Sequence, residues 1–444
     1  SYDAFAQDYQ GNYTNDMACL AEQSHGAIAL TVTKALQDQY LSLFDDTAIL
    51  KGKANYLCDV DPSFEVDTAP CLYIPSLKVD CWSNNRCPYY NARNTAVISQ
   101  FTALNYKMFQ ALPAHVKQRD YIICDEASEL EEELVRHFSA EVEYSRLKHA
   151  DIKIKPLTTD DLTVARSWLT DVQDAAYGKV KSLTEKAKSN GKNYLTVADK
   201  NRLTYCKSLY NSLTHVLESW TDAEYIVDRT AESANFTPLR VNKLSKSIFD
   251  HGKRILLMSA TIVDHKNFAK ALGIGDYEYI EIPSLFDPNK SPIHVSTRYK
   301  LNYTNLQGLI PQIQKDIKAI CDKHSDVKGV VHTHSQEICD AVYRALGNDS
   351  RFLFRKGKEK NEAILRQHAE TPEPTVLVSP SLTHGVDLKD DLARFQIVIK
   401  LPYAPLSNKR IKRLFESDKD WYLDRMLSTL IQTTGRATRS AEDH

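Results

Sequence analysis

The sequence predicts an α/β protein built from doubly wound parallel sheets, and two observations carry this prediction. The composition is ordinary for a folded protein, because 42% of its 444 residues are hydrophobic and 26% are charged. Short apolar runs, each followed by a polar or helical stretch, have the pattern of buried parallel strands. They are Ala27–Thr31, Tyr121–Cys124, Ile255–Met258, Gly329–Val331, Val376–Val378 and Ile397–Ile399. Because chemistry gathers beyond the carboxyl ends of such strands, the residues that follow them are the first functional candidates.

Two stretches interrupt this alternation. Residues 52–95 are rich in Cys, Asn, Pro and Tyr and have weak periodicity, as expected of a small module organised around a metal. Residues 135–240 look helical throughout, since apolar residues recur there at three- and four-residue steps. Leu203, Cys206, Tyr210, Leu213 and Leu217 form one such series. We expect an inserted helical domain whose apolar stripes pack the core of a bundle.

Charge and hydropathy limit the classes of function. A formal net charge of −2 excludes a generally basic nucleic-acid binder, so any such contact must use a local groove. No apolar run approaches the roughly 20 residues that a membrane span requires, and no secretory leader is evident. We therefore expect no membrane partner and a cytoplasmic or nucleoid location.

Adjacent carboxylates follow the second predicted strand. In the segment Tyr121–Ser128, Asp125 stands at the strand tip, where it can hold Mg²⁺ through water. Glu126 is then placed to polarise the water that attacks a γ-phosphate. Pairs of this kind also occur on solvated turns, but the apolar strand before them and Ala-Ser after them favour the functional interpretation.

Two further segments have the residue types of a phosphoryl-transfer site. The strand Arg254–Met258 ends in hydroxyl residues, Ser259 and Thr261, which can exchange hydrogen bonds between a nucleotide and a neighbouring groove. Near the end of the chain, Gln432, Gly435, Arg436 and Arg439 follow one another. Arginines three residues apart share a helical face and suit phosphate oxygens. Alone, these segments could equally be an ordinary strand end and a solvated basic helix end.

Together these three segments resemble motifs II, III and VI of superfamily 2 helicases, in the same order. Thr31–Gln39 resembles motif Ia, and Ser379–Asp387 resembles motif V. The resemblance implies an ATPase that uses ATP and Mg²⁺, with nucleotide contacts from Gln432, Gly385, Asp387, Ser259 and Thr261. It also implies nucleic-acid contacts from Thr33, Lys34, His334 and Ser335, although His332 and His334 could equally have a structural role.

The cysteines select a branch of these helicases. Of nine cysteines, Cys58, Cys71, Cys81 and Cys87 lie between motifs Ia and II. The XPD/DinG family has its [4Fe–4S] module there, and the flanks Asn55–Cys58 and Cys87–Tyr90 also resemble that family. Zinc is the alternative ligand, but structural zinc usually has short paired spacings, whereas the gaps here are 12, 9 and 5 residues. We expect the iron–sulfur cluster.

The sequence departs from the helicase pattern in two places. It contains no P-loop of the form G-x-x-x-x-G-K-[ST], and no lysine precedes Lys34. There are two explanations: the sequence omits the loop near Asp16 and Met17, or the protein is a pseudo-ATPase. The presence of the other ATP-contacting motifs favours the omission. In addition, motif II ends in Ser128 instead of His, which affects how hydrolysis is coupled to the neighbouring motifs.

We therefore predict two RecA-like α/β domains with an inserted Fe–S module and a helical arch, with ATP in the cleft between the α/β domains. The first α/β domain comprises residues 1–51, 96–134 and 241–262, the Fe–S module 52–95, the arch 135–240 and the second α/β domain 263–444.

The resemblance implies an ATP-dependent DNA helicase that moves 5′ to 3′ on single-stranded DNA and unwinds a duplex or fork. The sequence leaves the oligomeric state open, and we expect a monomer. The alternative from another class is a non-catalytic DNA-binding or scaffold protein on a degenerate helicase body. A third candidate is an iron–sulfur nuclease. The sequence does not favour it, because it shows no further acidic cluster with the spacing of a two-metal site. RNA in place of DNA remains open.

Overall fold

A computed structural model of the chain describes residues 26–72, 77, 79–81, 84–189, 195–283, 289, 291–302, 304–354, 361–380, 388 and 390–435. The chain folds into two compact units. The first comprises Ser1–Asp276 and Leu406–Ser417, and the second comprises Tyr277–Pro405 and Asp418–His444.

The first unit contains a parallel five-stranded sheet in the order β2-β3-β1-β4-β8. Its strands are β1 (Ala27–Thr31), β2 (Thr47–Leu50), β3 (Phe101–Asn105), β4 (Arg119–Cys124) and β8 (Gly252–Leu257). The register pairs Leu30 of β1 with Leu104 on one side and with Cys124 on the other. Cys124 in turn pairs with Leu257. The carboxyl ends of these strands therefore meet at one edge of the sheet, as the sequence predicts.

Helices flank this sheet because the connections between its strands carry apolar faces that pack on it. They are α1 (Lys34–Leu43), α2 (Pro88–Ile98), α3 (Tyr106–Ala111), α4 (Leu130–His137), α8 (Lys246–Phe249) and α9 (His265–Leu272). Fully buried Leu30, Leu104 and Ile122 centre the core beneath them. Helix α9 ends at Gly273, whose φ of 68° suits a glycine, since a Cβ there would lie 2.0 Å from the Asn242 carbonyl oxygen.

The region predicted to be helical throughout is partly β-structure, and that part of the prediction is wrong. Helices α6 (Leu162–Ser189) and α7 (Val197–Glu218) form a hairpin, preceded by α5 (Tyr144–His149). A three-stranded antiparallel sheet packs with them, formed by β5 (Ala140–Glu143), β6 (Tyr225–Arg229) and β7 (Ser233–Pro238). These strands are only four to six residues long, so their two-residue alternation is hard to see beside the long helical pattern.

The second unit contains a parallel four-stranded sheet in the order β10-β11-β9-β12. Its strands are β9 (Gly329–His332), β10 (Phe352–Phe354), β11 (Val376–Ser379) and β12 (Phe395–Val398), with helices α10 (Leu306–Lys323), α11 (Gln336–Leu346) and α12 (Asn361–Glu370). Val330, Val331 and Leu377 are fully buried at its centre. Two parallel sheets with intervening helices confirm the predicted α/β class.

Helix α13 (Lys409–Ser417) belongs to the first unit, whereas α14 (Lys419–Thr434) belongs to the second. Arg410 of α13 is buried and forms a 2.6 Å ion pair with Glu131 of α4. It also donates to the carbonyl oxygen of Pro238 at 3.0 Å. A segment distant in sequence is thus joined to the helix that follows Asp125 and Glu126.

Among the residues that the structure describes, no helix is both long and apolar enough to cross a bilayer.

Candidate functional site

The tip of β4 is fixed by both of its neighbours in the sheet. The backbone N–H of Asp125 donates to the Leu30 carbonyl oxygen of β1 at 2.8 Å. The N–H of Ala127 donates to the Met258 carbonyl oxygen, directly after β8, also at 2.8 Å. Glu126, between them, has φ 51° and ψ 47°, a left-handed conformation that is uncommon for a residue with a side chain. Outliers of this kind cluster at functional sites, where the surrounding structure maintains them.

The carboxylate of Asp125 is oriented by two donors. One oxygen, Oδ1, accepts from the Glu126 N–H at 3.0 Å, and Oδ2 accepts from the Tyr40 hydroxyl at 3.2 Å. The Tyr106 hydroxyl donates to the Asp125 carbonyl oxygen at 3.1 Å. Burial, and secondarily the Asp125 charge, raises the pKa of Tyr40 to about 12, so this phenol remains a protonated donor at neutral pH. Asp125 therefore presents a fixed carboxylate at the sheet edge, which suits Mg²⁺.

Three hydroxyl groups join the segments that resemble motifs II and III. Ser259 and Thr261 each donate to the Ser128 hydroxyl oxygen, at 2.9 Å in both cases. The Thr261 N–H also donates to the Ser259 hydroxyl oxygen at 3.2 Å. The serine that stands in place of the usual histidine is therefore the shared acceptor of this network. The contacts of Ser259 and Thr261 with a nucleotide remain a prediction.

The four clustered cysteines line a single cavity, together with Val66, Ala69, Pro88 and Tyr90. Cys58, Cys81 and Cys87 are buried, Cys71 is half-buried, and none of the four forms a disulfide. Burial raises the pKa of Cys71 to about 11, and the other three thiols add to the rise. Four thiols from a range of 30 residues therefore line one cavity, and the set matches a tetrathiolate ligand set in chemistry but not in the geometry of this structure.

Local structure brings these thiols together. The Cys58 N–H donates to the Phe64 carbonyl oxygen at 2.8 Å, closing a short turn. Cys87 is the residue before α2, whose first position is Pro88, a favoured start for a helix. Arg86, which also lines the cavity, forms a 3.0 Å ion pair with Asp59. Within the described residues, no three His, Cys, Asp or Glu side chains are already arranged at metal-binding geometry.

Thr33 and Lys34, predicted to contact nucleic acid, lie at the start of α1. The Thr33 hydroxyl caps this helix by accepting from the Leu36 N–H at 3.3 Å. Lys34 is exposed, and its ammonium group donates to the Asn55 side chain at 2.7 Å, where the cysteine module begins. The structure thus places the predicted strand contact beside that module.

His334 and Ser335 follow β9 in the second unit. His334 has a left-handed backbone, with φ 47°, and burial lowers its pKa. Its Nε2 atom is buried and has no hydrogen-bond partner among the described residues. His332, in contrast, is buried and bonds through Nε2 to the Gln396 side chain at 3.0 Å, which is a structural role.

Gln396 of β12 is hydrogen-bonded to α14, the helix that carries Gln432. Its amide donates to the Thr434 carbonyl oxygen of α14 at 2.8 Å. Gln432 itself is partly buried on α14. The remaining predicted site residues, Gly385, Asp387, Arg436 and Arg439, lie outside the described residues, as do residues 1–25, where the P-loop question arises.

Comparisons with known proteins agree with this architecture. Residues 317–444 match the family model described as helicase C-terminal domain. A probable ATP-dependent helicase of Methanocaldococcus jannaschii is 21% identical over 96% of this chain and 84% of its own length. The ATP-dependent DNA helicase YoaA of Escherichia coli is 25% identical over 47% of this chain and 34% of its own length.

Solved structures are similar over nearly the whole chain. One titled XPD helicase has a TM-score of 0.60 at 15% identity, and the alignment covers 94% of this chain and 86% of that one. S. tokodaii Xpd4 has a TM-score of 0.52 at 14% identity, with coverage of 98% and 88%. At these identities the likeness shows the fold.

Proposed function

We propose that this chain, which has the fold of the XPD/DinG-like superfamily 2 helicases, is an ATP-dependent DNA helicase. We further propose that it moves 5′ to 3′ along single-stranded DNA and separates duplex or forked DNA. A DNA substrate also favours a location in the cytoplasm or nucleoid. The single observation that carries the proposal is the strand tip at Asp125 and Glu126, because its geometry suits the hydrolysis of a metal-bound triphosphate.

At this tip, each carboxylate has a separate task. Asp125, held by the donors on both of its oxygens, binds Mg²⁺ through water. Glu126, on its left-handed turn, orients the water that attacks the γ-phosphate. The hydroxyl network of Ser128, Ser259 and Thr261 lies directly after the tip, so it is positioned to respond when the phosphate leaves.

Gln432, Arg436 and Arg439, with Gly385 and Asp387, are proposed to supply the remaining nucleotide contacts, by resemblance to the helicase motifs. Arginine suits this work because its planar fork binds phosphate oxygens and stabilises the charge that develops during transfer.

The cysteine cavity is proposed to hold a [4Fe–4S] cluster through Cys58, Cys71, Cys81 and Cys87. Support comes from the convergence of four free thiols in a segment with little secondary structure of its own. A bound cluster would supply the crosslink that such a segment otherwise lacks. With the cluster bound, the module is proposed to separate the DNA strands. It lies beside Thr33 and Lys34, which are proposed to contact DNA.

The test is the steady-state ATPase rate of the full-length protein as single-stranded DNA is added. We expect DNA to raise the rate, and Glu126→Gln to abolish hydrolysis without loss of nucleotide binding. The matched control is Glu141→Gln, an exposed glutamate of β5, which should hydrolyse ATP like the wild type. A wild-type rate indifferent to DNA, or an active Glu126→Gln variant, would contradict the proposal.

A second candidate is a non-catalytic DNA-binding protein on a helicase body, favoured only by the missing P-loop pattern in this sequence. It predicts DNA binding with no ATP-binding or ATPase signal in the same experiment.

A further inference from the structure

We propose that Tyr40 is a positioning residue that links the DNA-contacting helix α1 to the metal-binding carboxylate of Asp125. The inference rests on the proposed function and adds a physical connection between its two ligands, DNA and Mg²⁺-ATP. Its basis is the hydrogen bond from the Tyr40 hydroxyl to Oδ2 of Asp125, which spans 85 positions of sequence.

The carboxylate has a defined plane because each oxygen has its own donor. The Glu126 N–H holds Oδ1 at 3.0 Å, and the Tyr40 hydroxyl holds Oδ2 at 3.2 Å. A carboxylate oxygen accepts about two hydrogen bonds, so both oxygens keep a lone pair for a metal ion or its water. Without the Tyr40 hydroxyl, the Glu126 N–H is the one donor to this carboxylate that the described part of the chain retains, and the carboxylate can turn about its Cβ–Cγ bond.

The Tyr40 ring is itself held in place by aromatic neighbours. Its centroid lies 6.2 Å from that of Phe44, the residue directly after α1, and 5.9 Å from that of Phe101 on β3. Phe44 and Phe101 also contact each other edge-on, at 5.7 Å. The Tyr40 ring is therefore packed between the end of α1 and the start of β3, so it does not rotate freely.

Helix α1 can couple DNA binding to the metal site because the predicted DNA contact lies at its start and Tyr40 lies near its end. Lys34, the predicted DNA contact, lies six residues before Tyr40, which is about 9 Å along a helix. Between them, the buried Gln37 amide donates to the carbonyl oxygens of Ala103 at 3.0 Å and Leu50 at 3.3 Å. The helix is thus pinned near its middle, so a DNA strand that tilts its first turn also shifts the position of the Tyr40 hydroxyl.

The expected consequence is that Tyr40 sets the affinity of the site for its divalent cation. Groups that orient a metal ligand by hydrogen bonding typically change metal affinity or activity by roughly 10–100-fold when they are removed. Because Asp125 retains its backbone donor, we expect the lower end of that range, about tenfold.

The experiment measures the Kd of Mn²⁺ by electron paramagnetic resonance in the full-length protein with ADP bound, for the wild type and Tyr40→Phe. We expect the Kd to rise about tenfold in Tyr40→Phe, with an unchanged melting temperature. Tyr177→Phe, on arch helix α6, is the matched control and should bind Mn²⁺ like the wild type. In an Asp125→Asn background, where the anionic ligand is gone, Tyr40→Phe should add nothing further.

Equal Mn²⁺ affinities in Tyr40→Phe and the wild type would overturn the role of Tyr40 while leaving the proposed ATPase intact. An additional loss in the Asp125→Asn background would overturn it as well, since the effect would not pass through the carboxylate. A wild-type protein that binds no Mn²⁺–ADP would overturn this inference and the proposed function together.

Discussion

Replacing Arg410 by Met should destabilise the first unit more than any change at its exposed ion pairs. The guanidinium is only 5% exposed and lies 2.6 Å from Glu131 and 3.6 Å from Glu132. Met fills similar space but removes the guanidinium from both carboxylates and one donor from the Pro238 carbonyl oxygen.

The magnitude follows from the burial of the partners. Removing one member of a fully buried pair costs roughly 3–5 kcal/mol, because the remaining charge is left without compensation. Glu131 and Glu132 are 15% and 27% exposed, so water relieves part of that cost. We therefore take about 3 kcal/mol, which corresponds to a fall in Tm of about 5 °C for a unit of this size.

The assay is thermal unfolding of the full-length protein, followed by circular dichroism at neutral pH. Arg413→Met is the matched control, because its pair with Glu224 joins side chains that are 59% and 51% exposed and should contribute under about 1 kcal/mol. Adding Glu131→Gln to Arg410→Met removes one of the two carboxylate charges and should restore part of the loss. Equal melting temperatures for the Arg410 and Arg413 variants would refute the reasoning.

Two further predictions concern protons and iron. Burial, with the nearby His215, lowers the pKa of His137 to about 3, so folding favours its neutral form. The contribution of His137 to stability is therefore fully present above pH 6.5 and falls as the pH drops below it, by up to about 1.4 kcal/mol per pH unit. Urea midpoints at pH 7 and pH 5 should differ in the wild type, and the difference should narrow in His137→Phe. It should not vanish, because burial also lowers the pKa of His215, His251, His334 and His368. Anaerobically purified wild-type protein should contain about four irons. Cys71→Ser should contain fewer, whereas Cys206→Ser, on α7, should not. One zinc and no iron in the wild type would contradict the cluster.

The strand tips were predictable from sequence because a buried parallel strand is a continuous apolar run that ends abruptly in polar residues. Ala27–Thr31 is found with the predicted bounds, and Asp125 stands directly after its strand. Strands β2, β3 and β10 were not predicted, although they are no shorter than the shortest runs that were. In β3, Thr102 interrupts the continuous apolar run that marks the other buried strands.

Contacts between segments that are distant in the chain could not be predicted from the sequence. Nothing in the pattern around Tyr40 indicates that its hydroxyl meets Asp125, and Arg410 belongs to a basic run that reads as a solvated helix face. Both depend on how separate elements pack, which a local pattern does not encode. The cysteines were predictable as a group because their chemistry is recognisable without the fold, and the shared cavity brings them together.

Strand displacement tests the central claim most directly. The full-length protein should release the labelled strand of a duplex with a single-stranded 5′ tail, only with ATP and Mg²⁺, and should leave a duplex with a 3′ tail intact. A protein that binds both substrates and separates neither in the presence of ATP would contradict the assignment of a DNA-unwinding motor.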